Sequence, residues 1–298
     1  MSPRRFSRLF PVVVAAVPIA ATVVTYAVSE GRLREYTVPP AFARAIPTDL
    51  DVVGLGESIA RTRGCFGCHG ERLQGRDWTA NWKGMGRVIA PNLARYARDE
   101  DASTIEAAVR HGIGRDGRAL WSMPSYNFVH LTDDDLVALI AYLRAHPVFE
   151  VQLPTPSRSI DVRWDVAFGG GTHMAEWVAA TPPLLTDSTR DSAQVVRGEY
   201  LAMTACNECH GLDVRGALFD GDSVPDVAIG AGYSEAEFRA LLRTGVARDG
   251  RTDLGLMSQV AKSRFVHLTE GQVADLQAFI RTLPARQVAP DVFWRERR

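Results

Sequence analysis

The sequence predicts a mostly α-helical protein: two tandem copies of one helical unit behind an N-terminal transmembrane helix. Three observations predict this. One segment occurs twice, with the same landmarks in the same order. Each copy closes on an apolar stripe at helical spacing. An apolar run behind a cluster of arginines opens the chain.

The opening run extends from about Phe10 to Val28, after Arg4, Arg5 and Arg8. Its length can just span a bilayer. Basic residues ahead of the run should stay in the cytoplasm while the remainder crosses. Residues 1–30 therefore read as a membrane anchor. A cleaved signal peptide is the rival, with Ala27-Val28-Ser29 as a small-residue cleavage site. The anchor is favoured because the run is longer than a usual signal-peptide core. Either way the domains are exported, and the expectation is an inner-membrane protein facing the periplasm.

The repeat sets the domains. Gly56-Glu57-Ser58-Ile59-Ala60 answers Gly198-Glu199-Tyr200-Leu201-Ala202. Arg115-Asp116-Gly117-Arg118 answers Arg248-Asp249-Gly250-Arg251, and Phe128-Val129-His130-Leu131-Thr132 answers Phe265-Val266-His267-Leu268-Thr269. Both copies then run to a proline, Pro147 and Pro284. The units are residues 50–147 and 191–284. In each last helix a threonine, Thr132 or Thr269, is placed to cap. Leu136, Leu139, Ile140 and Leu143 form the stripe in the first unit; Val273, Leu276 and Ile280 repeat it. Residues 151–190 carry Pro154, Pro156, Gly169-Gly170-Gly171 and Pro182-Pro183, dense punctuation that reads as a linker lying against both units. His173 and Met174 within it read as part of a solvated loop. Residues 285–298 read as a loose charged tail.

All four cysteines fall in two motifs, Cys65-Phe66-Gly67-Cys68-His69 and Cys206-Asn207-Glu208-Cys209-His210. Cysteines at i and i+3 and a histidine at i+4 face the same way on one helical turn. The cysteines can form thioethers with haem vinyl groups while the histidine nitrogen reaches iron, the pattern of c-type haem attachment. A zinc site would combine cysteine pairs roughly 15–20 residues apart. These pairs lie in separate repeats, and no βαβ setting supports a thioredoxin-like CxxC. Two c-type haems are expected, on His69 and His210. Net charge is −1, so nothing points to nucleic acid.

Each iron needs a distal ligand if the protein is an electron carrier. Of six methionines, Met1 is excluded, Met203 is on the proximal side, Met174 is in the linker and Met85 has no counterpart. Met123 and Met257 occupy matching places after the Arg-Asp-Gly-Arg turn, and both are expected as axial ligands. His130 and His267 also match, but their place beside the last helix explains them as structural histidines.

With these residues in hand, each unit resembles a class I cytochrome c domain, over nearly everything after residue 50. The resemblance implies that Gly56 packs on Tyr142 and Gly198 on Phe279. It implies that the carbonyls of Pro91 and Pro225 accept a hydrogen bond from the proximal histidine, and that Met123-Pro124 is the distal pair. The second unit departs with Met257-Ser258 and three extra residues before its last helix. The tandem arrangement, the anchor and Arg163-Trp164 resemble membrane-bound cytochrome subunits of periplasmic dehydrogenases. The expectation is a dihaem electron carrier with no catalytic acid, base or nucleophile. It would link a dehydrogenase or quinol-oxidising complex to an oxidase or soluble cytochrome. The alternative is a dihaem oxidoreductase, such as a peroxidase or sulfur-compound oxidase, with an open second haem, or a haem sensor.

Overall fold

The structure, a computed structural model, describes residues 3–219 and 222–287, with side chains in the first helix described from Val17 onward. Ahead of the first unit stands α1 (Pro3–Arg32). The first unit comprises α2 (Leu50–Thr62), α3 (Cys65–His69), α4 (Leu93–Asp99), α5 (Ala102–Arg110) and α6 (Asp133–Ala145). The intervening segment carries α7 (Ile160–Trp164), one π-helical turn at Asp165–Gly169, and α8 (Met174–Ala180). The second unit comprises α9 (Ala193–Ala205), α10 (Asn207–His210), α11 (Glu235–Thr244), α12 (Leu256–Ser263) and α13 (Glu270–Ile280). The β-structure described is three short antiparallel ribbons, Arg76–Asp77 with Ile89–Ala90, Gly86–Arg87 with Ser157–Arg158, and Ala217–Phe219 with Asp222–Val224, and an isolated bridge between Ile113 and Ala119.

The helix starts follow local chemistry. The Thr132 hydroxyl accepts from the Asp135 N–H at 3.2 Å, and Asp133, Asp134 and Asp135 put negative charge at the positive end of the helix dipole. Thr269 and Gln272 form a reciprocal capping box at α13. In each unit the first and last helices cross at a glycine. A Cβ on Gly56 would lie 2.0 Å from the Ala138 carbonyl oxygen and 2.6 Å from Cβ of Tyr142. One on Gly198 would lie 2.0 Å from the Asp275 carbonyl oxygen and 2.7 Å from Cβ of Phe279. Each crossing organises its own core, with Ile59, Leu73, Leu136 and Ile140 in the first unit and Leu201, Val214, Phe238 and Phe279 in the second.

The intervening segment departs from the expected loop. Val162, Val166 and Ala175 build a small third core with Leu33 and Ala119. His173 and Met174 are 1% and 8% exposed, not solvated. His173 Nε2 donates to the Arg32 carbonyl at 3.1 Å, and its Nδ1 accepts the Glu176 N–H at the start of α8. Leu33, just past α1, and Ala119 of the first unit supply the apolar seat that the segment's own glycines and prolines could not foretell.

The end of α1 is tied into the first unit. Glu30 accepts from Arg34 and Arg118, each at 2.6 Å, and from Arg163 at 2.9 Å. The expected transmembrane run falls within α1. Among the described residues no helix is long and apolar enough to cross a membrane, so the structure does not reproduce that span. Residues 288–298 of the expected tail lie outside the described residues.

Candidate haem sites

The first Cys-x-x-Cys-His motif is one short helix, α3, and the last four residues of the second form α10. Before α3 the chain turns through Gly64, in the left-handed region at φ 83°. That backbone conformation favours glycine, and the Arg264 guanidinium packs over it, 2.2 Å from where a Cβ would stand. In the second unit Cys206 leads directly into α10.

The two histidines are held alike. A carbonyl can only accept, so the proton sits on Nδ1 in both rings. His69 Nδ1 donates to the Pro91 carbonyl at 2.8 Å, and His210 Nδ1 donates to the Pro225 carbonyl at 2.8 Å. Each Nε2 is thereby left as a lone-pair donor. Burial pushes both imidazoles below their ordinary pKa, against the opposing pull of the proline carbonyls, so both rings are neutral at physiological pH.

The proline loops are pinned by a strained residue that sequence reasoning missed. Leu73 (φ 54°) and Val214 (φ 56°) both adopt the left-handed conformation while buried. Their carbonyls accept from Leu93 at 2.9 Å and Val227 at 3.1 Å, two residues beyond each proline. Such a conformation costs about 1–3 kcal/mol and persists where the surroundings over-determine it. The signal was present: both residues follow their histidine by the same interval.

The thiols also discriminate among chemistries. Burial pushes Cys65, Cys206 and Cys209 up to about 12, and it raises Cys68 as well. A redox CxxC or a metal-thiolate site needs the opposite shift, toward thiolate. Among the described residues no group of three or more His, Cys, Asp or Glu could hold a metal ion. Neutral thiols at i and i+3 with a neutral histidine at i+4 fit covalent haem attachment.

The candidate distal residues lie on differing backbones. Met123 precedes Pro124 and a 3-10 turn, Ser125–Asn127, and packs half-buried on the first core. Met257 is half-buried on the second core, in the first turn of α12. Ser258 takes the place of the proline there. Its hydroxyl donates to the Gly245 carbonyl at 3.0 Å and accepts the Leu254 N–H at 3.0 Å. His130 Nε2 donates to the Pro182 carbonyl at 2.9 Å. His267 is exposed beside Glu57, Ser58 and Arg61. Asn127 was not anticipated: it is fully buried and neither amide atom has a protein partner.

The family model for cytochrome c matches residues 53–147 and 195–284. The chain belongs to the cytochrome c family. Family membership makes it a c-type haem protein that transfers electrons. The cytochrome is 24% identical over 280 residues to the gluconate 2-dehydrogenase cytochrome c subunit of Pantoea cypripedii, covering 81% of this chain and 62% of that protein. It is 26% identical over 280 residues to the cytochrome c subunit of a quinone alcohol dehydrogenase from Gluconobacter oxydans, covering 82% and 57%. The cytochrome thus spans less than two thirds of either relative's length.

Proposed function

We propose that this cytochrome holds two c-type haems, one in each unit, and carries electrons from a dehydrogenase to a terminal acceptor on the periplasmic face of the inner membrane. The observation that carries the reading is the matched pair of histidine clamps, each closed by a proline carbonyl at the same distance. Cys65 and Cys68, and Cys206 and Cys209, would supply the thioether bonds. His69 with Met123, and His210 with Met257, would supply the axial ligands. When bound, the haem supplies the one-electron couple. The protein residues fix the histidine tautomer and strengthen its Nε2 as a donor through the Nδ1 hydrogen bond. Methionine ligation would raise the potential. The dehydrogenase partner is supported by the named roles of the similar cytochrome subunits.

The location is supported by α1. Val17, Ile19, Val23, Val24 and Tyr26 are all exposed, an apolar surface that a bilayer would cover. Arginines ahead of it favour a cytoplasmic N-terminus.

The test is a haem count and a carbon monoxide titration. Pyridine haemochrome analysis of the full chain should give two haems per chain, and C206S/C209S should give one. The reduced protein should bind no carbon monoxide rapidly. Rapid binding at one haem would replace the carrier with an oxidoreductase or sensor open at the second unit, where Met257-Ser258 departs from Met123-Pro124.

A further inference from the structure

Three large apolar side chains of the intervening segment face outward in a row. Ile160, Trp164 and Phe168 lie at i, i+4 and i+8, and are 48%, 55% and 49% exposed. The Trp164 and Phe168 rings meet edge to face, with centroids 4.9 Å apart. The opposite face, Val162, Val166 and Ala167, is buried. Isolated exposed apolar residues are ordinary, but a contiguous stripe marks a surface that something covers.

The stripe is fixed beside α1. From between Val162 and Trp164, Arg163 reaches Ser29 at 3.1 Å and Glu30 at 2.9 Å, and lies 3.9 Å above the Tyr26 ring. Tyr26 also belongs to the exposed apolar surface that runs from Val17 to Val28. The stripe therefore continues α1's apolar surface at its C-terminal end, where a bilayer around α1 would have its headgroups. A further tryptophan lies in a loop tied to the start of α7. The Ser159 N–H donates to the Met85 carbonyl at 3.2 Å, which brings the loop carrying exposed Trp82 and Lys83 next to the start of α7. Arg87, also exposed, pairs through its backbone with Ser157. Tryptophan and tyrosine favour the headgroup level, and basic side chains favour anionic headgroups. Asp161 and Asp165 are exposed on the same segment. Carboxylates resist entry into the acyl core and so limit the depth of such a seat.

We infer that Ile160, Trp164 and Phe168, with Trp82 alongside, form a membrane-interfacial seat that rests on the headgroup–acyl boundary of the bilayer holding α1. This rests on the reading of α1 as a membrane anchor. The seat would fix the height of the first haem unit above the membrane, where an anchor alone would leave it free to swing.

The experiment uses the full haem-loaded chain in phosphatidylethanolamine–phosphatidylglycerol vesicles carrying a diazirine-tagged phospholipid. After photolysis, lipid adducts are mapped by mass spectrometry. The proposal expects adducts both on residues 17–28 and on residues 160–168. The variant I160S/W164S/F168S, with an unchanged haem absorption spectrum, should lose the second set and keep the first. Adducts on α1 without adducts on 160–168 would overturn the seat and leave the anchor standing. Adducts on neither would overturn both. In native membranes, a crosslink from 160–168 to a protein in place of lipid would overturn the lipid assignment.

Discussion

The Arg264 guanidinium meets the Glu208 carboxylate at 2.6 Å, with both side chains largely buried between the two units. Glu208 belongs to the second attachment motif, and Arg264 packs against Gly64, which opens the first. Tyr126 adds a reciprocal contact: its hydroxyl donates to the Glu208 carbonyl at 3.2 Å, and Asn207 donates to the Tyr126 carbonyl at 3.2 Å. Each unit thus offers the residues around its Phe-Val-His segment to the other unit's attachment motif. Breaking a fully buried pair by removing one partner costs about 3–5 kcal/mol. The residual exposure here places R264Q and E208Q below that limit. Denaturant unfolding of the two single variants and the double variant should show strong coupling. Additive effects would mean that the two side chains do not act as a pair beside the first attachment motif.

The helix crossings leave no room for a methyl group. G56A would drive a Cβ into the Ala138 carbonyl, and G198A into that of Asp275. These contacts involve backbone, which cannot swing aside as a side-chain tip can. Overpacking of this kind costs typically about 1–3 kcal/mol. Both variants should lower the unfolding midpoint and the yield of haem-loaded protein. Wild-type stability in either would contradict the crossing.

The internal frame of each unit was legible because its signals are local or duplicated. Thr132 and Thr269 announce the last helices, and Gly56 and Gly198 recur at the same place in the repeat. The interface between the units was not legible. Arg63, nearly fully buried, donates to Thr204 at 3.1 Å and lies over the Tyr200 ring, yet its place in the repeat is held by an alanine, Ala205, in the second unit. Such one-sided pairings leave no trace in a self-comparison. The helices of residues 160–180 were hidden for a different reason: they pack on Leu33, just past α1, and on Ala119 of the first unit, while their own composition speaks for turns.

The two methionines provide a direct test of the axial assignment. M123A and M257A should each abolish the methionine–iron charge-transfer band of one haem and open that haem to carbon monoxide. Each should also lower the corresponding midpoint potential, because the thioether stabilises reduced iron. An unchanged spectrum in M257A alone would show that the segment around Ser258 supplies another ligand or leaves the second iron open.

Acid should loosen α1 from the first unit through Glu30. Burial alone would raise this carboxyl, but hydrogen bonds from Arg34, Arg118 and Arg163 outweigh it and hold the group down at about 2, against an ordinary 4.5. A depressed carboxyl pKa means that the unfolded chain binds the proton more readily. The stabilisation is therefore fully present above pH 4.5 and is lost as pH falls from there toward 2. The three arginines come from the turn after α1, from the Arg-Asp-Gly-Arg turn of the first unit and from α7, so one protonation weakens three attachments together. E30Q removes the titration while keeping the shape. Its melting temperature should fall below that of the wild type at neutral pH and converge with it toward pH 2. Parallel wild-type and E30Q curves across that window would show that Glu30 does not govern the acid response.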